Sequence, residues 1–205
     1  MVGGSGLYID AITNGVDIMP DHDEKIRQEV IDFYKENGLE AIRFELKRID
    51  PVYYEQVDLK NPQRILRAIE MFRLTGKPFS EFRKNKKIER EFQTVKVGIN
   101  LDREILYKRI NDRVDKMFQE GLLHEARDLY QFKGLVALKT IGYTELFSYI
   151  ENEQNLDKTV ELVKRNSRHY ARRQLTWFRR YKDTEWFSPD NYKQIINFIE
   201  SKINN

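Results

Sequence analysis

A chain of 205 residues that is 40% hydrophobic can build about one to one and a half domains, and its 34% charged residues predict long solvated helices. A net charge of +3 leaves partner choice to how the charges are distributed, and the absence of cysteine excludes disulfides, thiolate zinc sites and a cysteine nucleophile. No signal-type segment opens the chain and no uncharged apolar run approaches the roughly 18–20 residues of a membrane helix, so a cytoplasmic protein with no membrane partner is expected.

The chain opens on "VGGSGLYIDA", a glycine turn before an apolar run. Residues 7–14 predict a short helix, with Gly15 just past its end. Ile26, Val30, Ile31 and Tyr34 recur at helical spacing in 21–37; Gly38 closes that helix and 39–47 continue as a second. Asn61 caps the best-marked helix, Pro62 suits its first position, Ile65, Ile69 and Phe72 form its stripe, and Gly76 with Pro78 ends it. The charged run 84–91 reads as a solvated helix or linker. Then the period changes: Val95, Val97 and Ile99 alternate with Thr94, Lys96 and Gly98, a strand and the only clear one. Asn100 or Asp102 caps the next helix, whose buried face is Leu106, Ile110, Val114 and Met117 and whose end is Gly121. Helices follow at about 122–132, 143–151, 156–181 and 192–203. A lone strand exposes unpaired backbone on both sides, so either the chain is essentially all-helical or its partner strands lie elsewhere.

Chemistry concentrates in cationic segments. "KRNSRHYARRQLTWFRRYK", 164–182, holds eight Lys or Arg and no acid. On a helix, Arg165, Arg168 or His169, Arg172, Thr176 and Arg179 share a face, with Tyr170, Trp177, Phe178 and Tyr181 interleaved. Cations neutralise phosphates and aromatic faces stack on unpaired bases, so nucleic acid is the favoured partner over an anionic protein or a plain core helix. "NPQRILRAIE" sets Gln63, Arg64 and Arg67 in the first turns of a helix, where free N–H groups and the dipole favour anions. Arg109, Arg113 and Lys116 line a third stripe, which Asp112 and Asp115 can neutralise. "TGKPFS" fails as a phosphate-binding loop, because Met71 stands where the first glycine belongs and Pro78 replaces the Ser or Thr. His22, His124 and His169 are scattered and predict no metal site, and no serine has the partners of a hydrolase.

In order, "VGGSGLYIDA", "NPQRILRAIE" with "LTGKP", "RVDKMFQEGLLHEA", "TIGYTE" and "ARRQLTWFR" resemble the tRNA dimethylallyltransferase (isopentenyltransferase) family, from the second residue to about Phe187. Each segment alone is weak; the five in sequence are specific. The resemblance implies an α/β fold, a P-loop nucleotide-kinase-like core with a helical insertion. This chain would be predominantly α-helical with one or few strands. Residues 1–20 plus 91–205 would belong to the core and 21–90 to the insertion that contacts tRNA. The implied activity is transfer of a dimethylallyl group from dimethylallyl diphosphate to N6 of the adenosine beside the anticodon, on a flipped-out base. Nucleotide (ATP) binding and Mg²⁺ are family properties, and a monomer is expected.

Carried over by resemblance, Ser5 stands where the family has threonine in a Gly-Gly-Thr turn and reaches toward the target nucleotide. Arg27 falls at a tRNA-contacting arginine. Gln63, Arg64, Ile65, Leu66 and Arg67 match a segment that holds tRNA. Lys139, Thr140, Ile141, Gly142, Tyr143 and Thr144 match a second. Arg172, Arg173, Gln174, Leu175, Thr176, Trp177, Phe178 and Arg179 match a third. Arg113 matches an arginine assigned to the diphosphate. The family's phosphate loop and its Asp-Ser motif with the catalytic aspartate have no counterpart here, so the chain resembles the C-terminal two-thirds of the enzyme. No catalytic residue and no Mg²⁺ site are expected in it, and alone it is expected to bind tRNA without turnover. The alternatives are a non-catalytic RNA-binding remnant and a structural helical protein whose arginines are only solvated.

Overall fold

The computed structural model describes residues 1–21, 23–84 and 88–203. His22 and residues 85–87, the middle of the charged run at 84–91, lie outside these. The chain forms two compact units, one of Met1–Gly6 with Phe92–Asn205 and one of Leu7–Glu91. Helix α1 (Gly6–Thr13) spans the boundary, and Gly15, at φ +83°, donates its N–H to the Ala11 carbonyl beyond its end.

The Leu7–Glu91 unit is built on two helical segments packed face to face. α2 (Glu24–Ile49) starts at Asp23, whose carboxylate accepts the Ile26 N–H, and breaks at Gly38, which is not helical (φ +77°, ψ −175°). α3 (Pro51–Tyr54), α4 (Pro62–Thr75) and α5 (Phe79–Phe82) follow. Asn61 accepts the Arg64 N–H at the start of α4, and left-handed Gly76 ends it, so both signals at that helix act as their chemistry dictates. Val30, Ile42, Leu46, Ile65 and Ile69 are buried together between α2 and α4. Asp50 is also buried, and every contact satisfies it. Its carboxylate caps α3 through the Tyr53 N–H and accepts both the N–H and the hydroxyl of Ser80, tying α5 to the α2–α3 corner. Ile88 and Arg90 return to α1, donating to the Asn14 and Ala11 carbonyls.

The other unit contains the expected strand, β1 (Lys96–Ile99), and corrects its isolation. β1 pairs in parallel with β2 (Thr184–Phe187), Lys96 against Thr184 and Ile99 against Phe187. Gly98 makes the pairing possible: a Cβ there would stand 2.5 Å from the ring of Trp186, its partner in the register. Between the strands run α6 (Arg103–Gln119), α7 (Leu122–Leu129) with a 3₁₀ turn after it, α8 (Tyr143–Ile150) and α9 (Leu156–Phe178), and α10 (Tyr192–Ile203) follows β2. Asp102 caps α6, accepting the Glu104 and Ile105 N–H groups. α6 packs on α9, while Leu122, Ala126, Leu146 and Phe147 form a small core between α7 and α8. Of the face expected to be buried on α6, only Val114 is fully so; Leu106, Ile110 and Met117 are half-buried.

Candidate nucleic-acid interface

In the larger unit the cationic helix α9 divides its charges by role. Lys164 pairs with Asp115 at 2.7 Å, and Arg168 donates to the Asn111 side chain at 2.6 Å. These two cations therefore hold α9 against α6. Arg165, His169, Arg172, Thr176 and Arg179 are exposed along one face, so His169 takes the place on that stripe that the sequence left open between it and Arg168. Arg173 is exposed beside them, its guanidinium 5.8 Å from the Tyr170 ring centre. Arg180 lies 4.0 Å over the Trp177 ring. Partial desolvation and the fields of Arg172, Arg165, Arg173 and Arg168 push the His169 pKa below its ordinary value.

The inner side of the same helix explains the opening glycines. Gln174 donates its amide to the Gly4 carbonyl at 2.9 Å. A Cβ at Gly4 would stand 2.1 Å from that amide nitrogen, and a Cβ at Gly6 would stand 2.2 Å from the Trp177 indole. α9 thus lies against the turn at Gly4 and Gly6, while Gly3 has open space and Ser5, between Gly4 and Gly6, is exposed. Gln174, Leu175, Trp177 and Phe178 are half-buried, whereas Arg172, Arg173, Thr176 and Arg179 offer open surface.

The segment 139–144 sits at the start of α8. Lys139, Thr140 and Thr144 are exposed, Ile141 and Tyr143 half-buried, and Gly142 is buried at φ +102°. Glu145, missed by sequence reasoning, holds this turn. Its buried carboxylate accepts the Gly142 N–H at 2.8 Å and the Asn166 amide of α9 at 2.6 Å, joining the start of α8 to the cationic helix. An acid at the third position of a helix that opens on glycine is the signal that could have found it. Hydrogen bonding to Glu125 raises the Tyr143 pKa. On α6, Arg109 and Arg113 are exposed, and Asp112 and Asp115 pair with Lys108 and Lys164 instead of neutralising them.

In the Leu7–Glu91 unit, Gln63 and Arg64 are exposed in the first turn of α4. Ile65 and Leu66 are 0% and 6% exposed, so within the matched segment they anchor the helix in the core and offer no surface to a ligand. Arg67 is partly exposed, and its guanidinium reaches buried Glu70 and the Pro20 carbonyl. Arg27, half exposed, lies 3.8 Å from the other oxygen of Glu70. Glu70 too escaped the sequence reading, although an acid in the middle of the apolar run from Ile65 to Met71 was the available sign.

Among the described residues no three His, Asp or Glu side chains gather into a group able to hold a metal ion. No described helix is long and apolar enough to cross a membrane.

The family model described as IPP transferase matches residues 1–181. The chain is similar to the tRNA dimethylallyltransferase of Christiangramia forsetii, 48% identical over all of this chain and 68% of that protein. It is also similar to tRNA dimethylallyltransferase 2 of Parabacteroides distasonis, 49% identical over 99% of this chain and 68% of that one. The crystal structure of the full-length tRNA isopentenylpyrophosphate transferase from Bacillus halodurans matches with a TM-score of 0.59 at 35% identity, over 97% of this chain and 64% of that one. A eukaryotic dimethylallyltransferase acting on tRNA has the same fold, with a TM-score of 0.73 at 23% identity over 100% of this chain and 56% of that one. The chain spans about two thirds of the length of the bacterial relatives it matches. It belongs to the IPP transferase family.

Proposed function

We propose that this chain is the tRNA-gripping part of a tRNA dimethylallyltransferase, built on the C-terminal portion of a P-loop nucleotide-kinase-like core with a helical insertion at about 21–90. The reaction is transfer of the dimethylallyl group from dimethylallyl diphosphate to N6 of the adenosine beside the anticodon: the N6–carbon bond forms as the carbon–oxygen bond to the diphosphate breaks, and N6 gives up one proton, so that the products are the N6-alkylated adenosine, diphosphate and a proton. The observation that carries this reading is the exposed α9 stripe of Arg165, Arg172 and Arg179, which faces solvent while Lys164 and Arg168 secure the helix from behind. Cations so placed neutralise backbone phosphates without spending their charge internally. In the helical unit, exposed Gln63 and Arg64 stand with Arg67 and Arg27, which pair with Glu70 and keep part of their guanidinium groups in solvent. Lys139, Thr140 and Thr144 supply polar contacts at the start of α8.

Ser5 offers a hydroxyl to the target nucleotide from a turn whose backbone Gln174 and Trp177 hold. Arg113, exposed and without a carboxylate partner among the described residues, suits the developing charge of the diphosphate leaving group. No phosphate-loop pattern and no Asp-Ser motif occur in these 205 residues. The polypeptide by itself therefore binds tRNA and does not turn over dimethylallyl diphosphate. An assay with unmodified tRNA and dimethylallyl diphosphate tests both halves. Salt-sensitive tRNA binding without product is the expected result; multiple turnover overturns the inactivity, and absence of tRNA binding at low salt overturns the function.

A further inference from the structure

Glu70 is 3% exposed, in the middle of the packed face of α4, with Ile69 and Met71 on either side both at 0%. A carboxylate there costs several kcal/mol of lost hydration unless cations and hydrogen bonds replace the water, and an apolar side chain of similar size would fill the position at no such cost. The replacements are two arginines. Nη1 of Arg67 donates to Oε1 at 2.6 Å, and Nη1 of Arg27 stands 3.8 Å from Oε2. Nη2 of Arg67 donates to the Pro20 carbonyl at 3.2 Å, so two acceptors on different segments fix the plane of that guanidinium. Both cations remain partly in solvent, the Arg27 side chain at 50% and that of Arg67 at 31%. Each guanidinium has five N–H donors, so most stay available. Without an acid between them the two charges would repel and swing apart. With it they stand together, a turn from exposed Arg64.

We propose that Glu70 is a positioning residue for tRNA: its buried carboxylate holds Arg27 and Arg67 as one preformed phosphate clamp. This rests on the tRNA-binding reading above.

The sign of one substitution separates the proposal from simple electrostatics. Glu70→Gln makes the chain one charge more positive, so charge alone predicts equal or tighter binding of a polyanion. The clamp predicts the opposite. Measured by fluorescence anisotropy with the full chain and an unmodified tRNA, Glu70→Gln is expected to weaken binding about tenfold at ~0.1 M salt. It should also lower the slope of log K against log salt by about one, as for the loss of a phosphate contact. In an Arg27→Ala, Arg67→Ala background the same substitution is expected to change neither quantity. Arg67→Lys keeps the charge but loses the planar fork, and is expected to weaken binding about threefold or more with an unchanged circular-dichroism melt; it decides the matter if Glu70→Gln does not fold. Equal or tighter binding by Glu70→Gln, or by Arg67→Lys in that event, overturns the clamp alone. A wild-type chain that shows no salt-sensitive tRNA binding overturns the tRNA reading and the clamp together.

Discussion

The Leu7–Glu91 unit buries Val30, Ile42, Leu46, Ile49, Tyr53, Val57, Ile65, Leu66, Ala68 and Ile69 in one cluster, mostly between helices close in sequence. Among the described residues, the larger unit gathers Leu122, Ala126, Leu146 and Phe147 in its cluster, with Val114 and Val163 also buried, and its sheet joins residues as distant as Lys96 and Thr184. Ile99 of β1 and Val95 just before it are exposed. The contrast teaches where stability and function separate. The helical unit closes its own core and offers a few cations at its edge; the larger unit spreads many cations over a thin core and depends on long-range pairing, whose loop-closure entropy must be overcome first.

The largest effect expected from this contrast is in local stability. Amides of α4 near Ile69 should exchange with solvent at least about a hundredfold more slowly than those of β1, measured by hydrogen exchange at neutral pH. Equal protection would break the comparison. Next, Ile69→Ala should destabilise the helical unit by about 3 kcal/mol in a denaturant titration, whereas Val97→Ala in β1 should cost under about 1.5 kcal/mol. Charge comes third: reversing Arg172 and Arg173 to glutamate should weaken tRNA binding by about tenfold or more at ~0.1 M salt, with no change in the melting of the helical unit. Unchanged affinity would remove α9 as an RNA surface. A smaller effect follows at the α4 cap, where Asn61→Ala should cost about 1 kcal/mol.

The smallest prediction concerns pH. Partial desolvation and then the surrounding Arg172, Arg165, Arg173 and Arg168 lower the His169 pKa, so the folded chain holds this imidazole neutral at pH 7. Its contribution to stability is present above the ordinary histidine value and is lost as pH falls through the lowered one. A bound phosphate reverses the field, so tRNA binding should tighten about two- to threefold between pH 7.5 and 5.5. The change should vanish in His169→Gln; its persistence there would assign the proton elsewhere.

Helix α4 shows how much was legible beforehand. Asn61, Pro62, the stripe at Ile65, Ile69 and Phe72, and Gly76 each act through the backbone within a few residues, so local chemistry sufficed. Gly38 and Gly121 marked breaks for the same reason. β2 was not legible: Thr184–Phe187 is four residues long, too short for a period to register, and its partner lies across four helices. Within the candidate interface, the exposed stripe of α9 was legible as composition and spacing. The half of that helix turned inward was not. Lys164, Arg168, Gln174 and Trp177 are as polar or aromatic as their neighbours, and only the positions of Asp115, Asn111, Gly4 and Gly6 decide that they face the protein.

The sequence by itself determined the helical character, the caps and breaks, the concentration of cations and the family, because each is written in residue type and local spacing. Tertiary structure alone decided that the strand has a partner inside the chain and that Gly4 and Gly6 lie against Gln174 and Trp177 of α9. It also decided which arginines are free for a ligand and that Glu70 and Glu145 are buried acids. These depend on which side chains meet across long stretches of chain, where burial turns an ordinary charge into one that must be paired.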